Sequence, residues 1–260
     1  MSYDPTCSDN DTVIDVIPIA FVNEFFSVGG LPELDLSGVF PGTNLANCQF
    51  LAADIEACQA MGKLVTLSIG KRGQNSSVLS SEAAGTTFAN TIWNLFLGGS
   101  SSTRPFGSAV LDGVDLDIEV GDPTGYASFV SRIHVLSAGA SKHYYVSAAP
   151  QCHFPDAHLG SALNMASFDA VYVQVESLLT FSLTPSKFTC EDWDFDTWDN
   201  WAKTVSPNPN VKLFIGAPAS PSAATDGYVD ATTLGSIALE TREQYSSFGG
   251  IMLWHLVRMH

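Results

Sequence analysis

Apolar and polar positions along the chain alternate between two rhythms. Short runs rich in Val, Ile and aromatic residues are separated by longer stretches whose apolar residues recur every three or four positions. The runs predict strands at residues 13–21, 63–69, 109–120, 144–149, 170–175, 211–216 and 250–254. The stretches predict helices. In NCQFLAADIEACQAMG, residues Phe50, Leu51, Ile55, Cys58 and Met61 follow helical spacing and Gly62 is a stop signal. SSEAAGTTFANTIWNLFLGG begins at a Ser cap candidate and ends at Gly98-Gly99, TGYASFVSRIHVL aligns Tyr126, Phe129, Val130, Ile133 and Leu136, and DATTLGSIALETREQY supplies a helix before the last strand.

Strands alternating with helices are the signature of βαβ units and a parallel sheet, either doubly wound or closed as a (β/α)₈ barrel. A doubly wound dinucleotide binder would carry G-x-G-x-x-G after an early strand, and LSIGKRGQNSS offers only Gly70 and Gly73. No repeat, low-complexity tract or linker divides the chain, so residues 1–260 read as a single domain.

Composition narrows the partners. The 260 residues are 45% hydrophobic and 15% charged, which suits a folded core rather than disorder. A net charge of -16 repels a phosphate backbone, which argues against nucleic acid. No apolar run reaches the roughly 18 residues a membrane helix needs, and MSYDPTCSDND carries no secretory apolar region. The cysteines Cys7, Cys48, Cys58, Cys152 and Cys190 have no metal-ligand spacing, so neither a metal nor another cofactor is expected.

The chemistry concentrates in DGVDLDIEV, residues 112–120. In a strand, Asp115, Asp117 and Glu119 point to one face while Val114, Leu116, Ile118 and Val120 point to the other. Asp112 has the opposite parity and is expected in the turn entering the strand. Asp115 and Glu119 would lie about 13 Å apart along one line of acids. Buried like charges raise one another's pKa, and a carboxylic acid held protonated near neutrality is what a general acid requires. Two other readings compete. One is a solvated edge strand, which the apolar opposite face disfavours; the other is a Ca²⁺ or Mg²⁺ site, which lacks an Asn-Asp-Gly loop or a His ligand.

DGVDLDIE resembles the D-G-x-D-x-D-x-E signature of glycoside hydrolase family 18, the chitinases and endo-β-N-acetylglucosaminidases. TIWNLFLGGSSSTRPFGSAVLDG, AAPQCHFPDAHLG, GAPASPSAA and GGIMLW extend the likeness to the hevamine-like class III chitinases of fungi and plants. The resemblance implies a (β/α)₈ TIM barrel and retaining, substrate-assisted hydrolysis of β-1,4 links after N-acetylglucosamine. It implies that Glu119 protonates the glycosidic oxygen, that Asp117 holds the N-acetyl group whose carbonyl oxygen attacks the anomeric carbon, and that Asp115 exchanges a proton or hydrogen bond with Asp117. No second carboxylate serves as nucleophile, a departure from the usual two-carboxylate scheme. Trp254 would floor the sugar at the cleavage site, Gln174 would touch substrate, and Ala148 with Ala149 would leave room for the N-acetyl group. Packing alone for Trp254 and a satisfied amide for Gln174 are the plainer alternatives. The likeness also pairs Cys7 with Cys58 and Cys152 with Cys190, leaving Cys48 single, and implies a secreted protein acting on chitin or its oligosaccharides.

Three departures stand out. Glu176 occupies the place of a Tyr that steadies the reacting N-acetyl group, and Lys71 replaces a glycine of an S-x-G-G run. Loss of such a preorganised donor costs on the order of a hundredfold or more, which keeps a glycan-binding protein without turnover as the alternative to a chitinase or an endo-β-N-acetylglucosaminidase. Lys71 would narrow the cleft, pair with the acids or simply face solvent. The likeness starts at TCS and stops at LW, so the family's first strand and last helix have no counterpart here. A barrel so formed would either carry an open seam for self-association or close in an atypical way.

Overall fold

The computed structural model describes Cys7 and residues 13–36, 47–70, 78–174, 195–224 and 227–255. The chain divides into two compact units, Met1–Val146 and Ser147–His260.

In the first unit the elements are β1 (Val16–Glu24), β2 (Glu33–Leu34), α1 (Ala52–Ala60), β3 (Leu64–Gly70), α2 (Glu82–Phe96), β4 (Gly113–Asp117) and α3 (Tyr126–Ser137). The strand order is β2-β1-β3-β4, parallel except for the short antiparallel ribbon β2. Each predicted strand and helix of this unit is present. Ser81 caps α2 through a side-chain oxygen that accepts from the Ala84 N–H, as the sequence suggested. Phe88 of α2 stacks on Phe25 at 4.5 Å and lies 5.5 Å from Phe129 of α3, so the helices close one face of the strands with aromatic rings. Arg104 donates to the carbonyls of Asn94, Leu97, Gly99 and Ala109, tying the end of α2 to the segment that leads into β4.

The strand predicted over 109–120 is shorter than its sequence pattern. It pairs with β3 from Thr66↔Gly113 to Gly70↔Asp117 and ends at Asp117. Ile118 and Glu119 follow the strand rather than belonging to it.

β5 (Tyr145–Ala148) starts at the boundary of the two units. The second unit continues with α4 (Gly160–Met165), β6 (Ala170–Gln174), α5 (Phe195–Thr204), β7 (Lys212–Pro218), α6 (Ala231–Gln244) and β8 (Phe248–Trp254), with strand order β5-β6-β7-β8, all parallel. Two helices, α4 and α5, escaped the sequence reading. The larger, α5, buries Phe195, Trp198, Trp201 and Ala202 on one side, and its Asp199 is held by Lys203 and by Ser247 at the entry to β8. No helix among the described residues is long and apolar enough to cross a membrane.

Cys7 is disulfide-bonded to Cys58, anchoring the N-terminal segment to α1. Cys152 is disulfide-bonded as well, and the partner expected for it, Cys190, lies outside the described residues. Cys48 is free and buried, and burial pushes its thiol up.

Candidate active site

The acids of β4 differ in burial along the strand. Asp115 is 4% exposed, and its Oδ2 accepts a 2.8 Å hydrogen bond from Ser68 Oγ. Asp117 and Glu119 are half-buried, farther along the chain toward the strand's C-terminal end and beyond it. A solvated edge strand does not fit this burial, and Asp115 and Asp117 lie two apart within β4 while Glu119 follows it.

The neighbouring strand fixes these side chains. The register sets Ser68 beside Asp115 and Gly70 beside Asp117. Gly70 has φ +136°, and a Cβ there would stand 1.8 Å from the Asp117 carbonyl oxygen. Only a residue without a side chain lets β3 approach Asp117 this closely. The S-x-G run of the sequence therefore has a double role, with Ser68 supplying a donor and Gly70 supplying space.

Asp112 stands apart from this line. It precedes β4, as its parity suggested, and accepts from Gln59 Nε2 at 2.8 Å, Val65 N at 2.9 Å and Lys142 Nζ at 2.7 Å. With three donors from three segments, its carboxylate joins α1, β3 and the segment before β5. It is a structural acid.

In the second unit, Gln174 ends β6 with its Nε2 donating 2.8 Å to the Ala149 carbonyl, which fixes the orientation of its amide. Ala148 is fully buried in β5. Trp254 ends β8, half-buried, its ring 5.1 Å from that of His255. Glu176 and Lys71 lie outside the described residues. Sequence reading did not find Ser68 as the donor to Asp115; the available signal was a pair of hydroxyls, Thr66 and Ser68, on one face of the otherwise apolar run LVTLSIG.

The family model of Glycosyl hydrolases family 18 matches residues 15–236, which include this line of acids. The chain belongs to glycoside hydrolase family 18. It is 48% identical over 246 residues to Chitinase 2 of Rhizopus oligosporus, covering 93% of this chain and 43% of that protein. The chain spans less than half the length of this relative and of Chitinase 1 of Rhizopus niveus, of which it covers 48%. The solved chitinase from Ipomoea carnea matches with TM-score 0.78 and 34% identity over 92% of this chain and 85% of that one. A xylanase and α-amylase inhibitor protein from Scadoxus multiflorus matches with TM-score 0.76 and 32% identity over 92% and 83%. The α/β fold expected for family 18 is thus the fold of this chain.

Proposed function

We propose that this family 18 chain hydrolyses β-1,4 links between N-acetylglucosamine units in chitin and its oligosaccharides. A buried Asp115 followed by the half-buried Asp117 and Glu119 carries the reading, because substrate-assisted hydrolysis requires acids with different tasks. Glu119, the most advanced along the motif, protonates the departing glycosidic oxygen. Asp117 orients the N-acetyl group as its carbonyl oxygen attacks the anomeric carbon and closes an oxazolinium ion. Asp115, fixed by Ser68, sets the hydrogen bonding of Asp117 from below. Water then opens the oxazolinium with Glu119 as base, and configuration is retained.

The family resemblance supports sugar contacts at Trp254, Gln174, Glu176 and Ala148 as part of the same proposal. The family match runs through residues 15–236, in both units, which supports reading the chain as one catalytic-type domain. The Cys7–Cys58 disulfide supports a secreted setting.

The anomeric form of the first product, followed by NMR during cleavage of chitotetraose, tests this reading: retention gives the β-anomer first, and an initial α-anomer contradicts it. A second reading, binding without turnover, draws on the likeness to the Scadoxus inhibitor protein at 32% identity. Calorimetric binding of chitotetraose with no product release would favour that alternative.

A further inference from the structure

Thr66 lies in β3 on the same face as Ser68 and is 3% exposed, yet its hydroxyl has no hydrogen-bond partner among the described residues. A buried hydroxyl without a partner costs enough that folded proteins rarely retain one. Its lateral neighbours explain why no protein group reaches it. In the register, Thr66 is flanked by Pro18 of β1, which has no N–H and no polar side chain, and by Gly113 of β4, which has no side chain. Along its own strand the next residue on that face in the direction of the acids is Ser68, whose hydroxyl is already donated to Asp115 Oδ2. Ser68 Oγ keeps its acceptor capacity after donating.

We propose that Thr66 anchors a buried water that links it to Ser68 and thereby fixes the Ser68 hydroxyl on Asp115. Residues two apart on one strand face are separated by about 6.6 Å at the backbone, and a single water spans roughly 5.5 Å between two oxygens, within reach of both side chains. Thr66 O–H donates to the water, the water donates to Ser68 Oγ, and Ser68 O–H donates to Asp115. All three hydrogen bonds then point toward the carboxylate, and each polarises the next. Thr66 is a positioning residue two steps removed from the reacting atoms. Its effect on turnover rests on the hydrolase reading above, whereas the water does not.

The test compares wild type, T66V and T66S by high-resolution crystallography, urea unfolding and steady-state hydrolysis of chitotetraose. The expected wild-type structure holds one ordered water within about 3 Å of both hydroxyl oxygens, retained in T66S and absent from T66V. T66V is expected to unfold at lower urea and to lose about fivefold in kcat at unchanged KM, the equivalent of one hydrogen bond, with both recovered in T66S. A wild-type structure without this water overturns the proposal. So does a T66V protein that is more stable than wild type, because replacing an unpartnered hydroxyl by a methyl group is then a gain. If wild type itself does not hydrolyse the sugar, the hydrolase reading fails while the density and the urea midpoints still decide the water.

Discussion

The Gly70 Cα points its missing side chain at the backbone of Asp117, where a Cβ would come within 1.8 Å of the carbonyl oxygen. The contact is with backbone, so no rotamer change can relieve it. Gly70→Ala must either separate β3 from β4 or displace Asp117, and the positive φ adds strain of its own. The expected loss is on the order of 3 kcal/mol or more, read as a lowered urea midpoint. Any folded G70A protein should also lose turnover beyond what its stability explains, since Asp117 shifts with the strand.

Asp112 is expected to affect stability and not chemistry. Asp112→Ala strands the buried Val65 N–H and removes the acceptor for Gln59 and Lys142, at a cost of about 3 kcal/mol. Lys142→Met removes a partly exposed cation with its hydrogen bonds to Asp112 and the Val110 carbonyl, and should cost under about 1 kcal/mol. Urea unfolding of the two variants checks this order; equal losses would mean that the ion pair, not the Val65 contact, dominates.

Asp199 predicts a pH dependence in the second unit. Burial raises its pKa, but hydrogen bonds from Lys203 and Ser247 together with the Lys203 charge outweigh burial and hold the carboxyl below its usual value. A depressed folded-state pKa gives stability that is complete above the unfolded value of about 3.9 and is lost as pH falls through the folded one. Wild type should therefore lose more stability than Asp199→Asn between pH 6 and pH 3. Urea midpoints at both pH values provide the comparison, and parallel losses would contradict the sign.

Much of this architecture is legible in the sequence because strand and helix periods differ. The run LVTLSIG and the helix NTIWNLF cannot be confused, and Ser81 announces its helix by type and place. The sequence pattern overextends the acid strand because apolar–polar alternation persists through Ile118 and Val120, whereas β4 itself ends at Asp117. Helix α5 was missed because DWDFDTWDNWAKT mixes acids among its aromatics, and its apolar face appears only when Phe195, Trp198, Trp201 and Ala202 are placed at helical spacing. Local pattern gave the line of acids but could not reveal cross-strand register. Ser68 meets Asp115, and Gly70 meets Asp117, through a ladder between segments 47 residues apart.

Whether Glu119 supplies the proton to the departing sugar is decided by initial rates of chitotetraose hydrolysis for wild type and Glu119→Gln at matched folding and binding. Glutamine keeps the size and hydrogen-bonding reach of the side chain and cannot donate the proton. Proton donation by Glu119 predicts measurable wild-type turnover and a fall of about a hundredfold or more in kcat for E119Q, with sugar affinity preserved. Equal rates for the two proteins would contradict it.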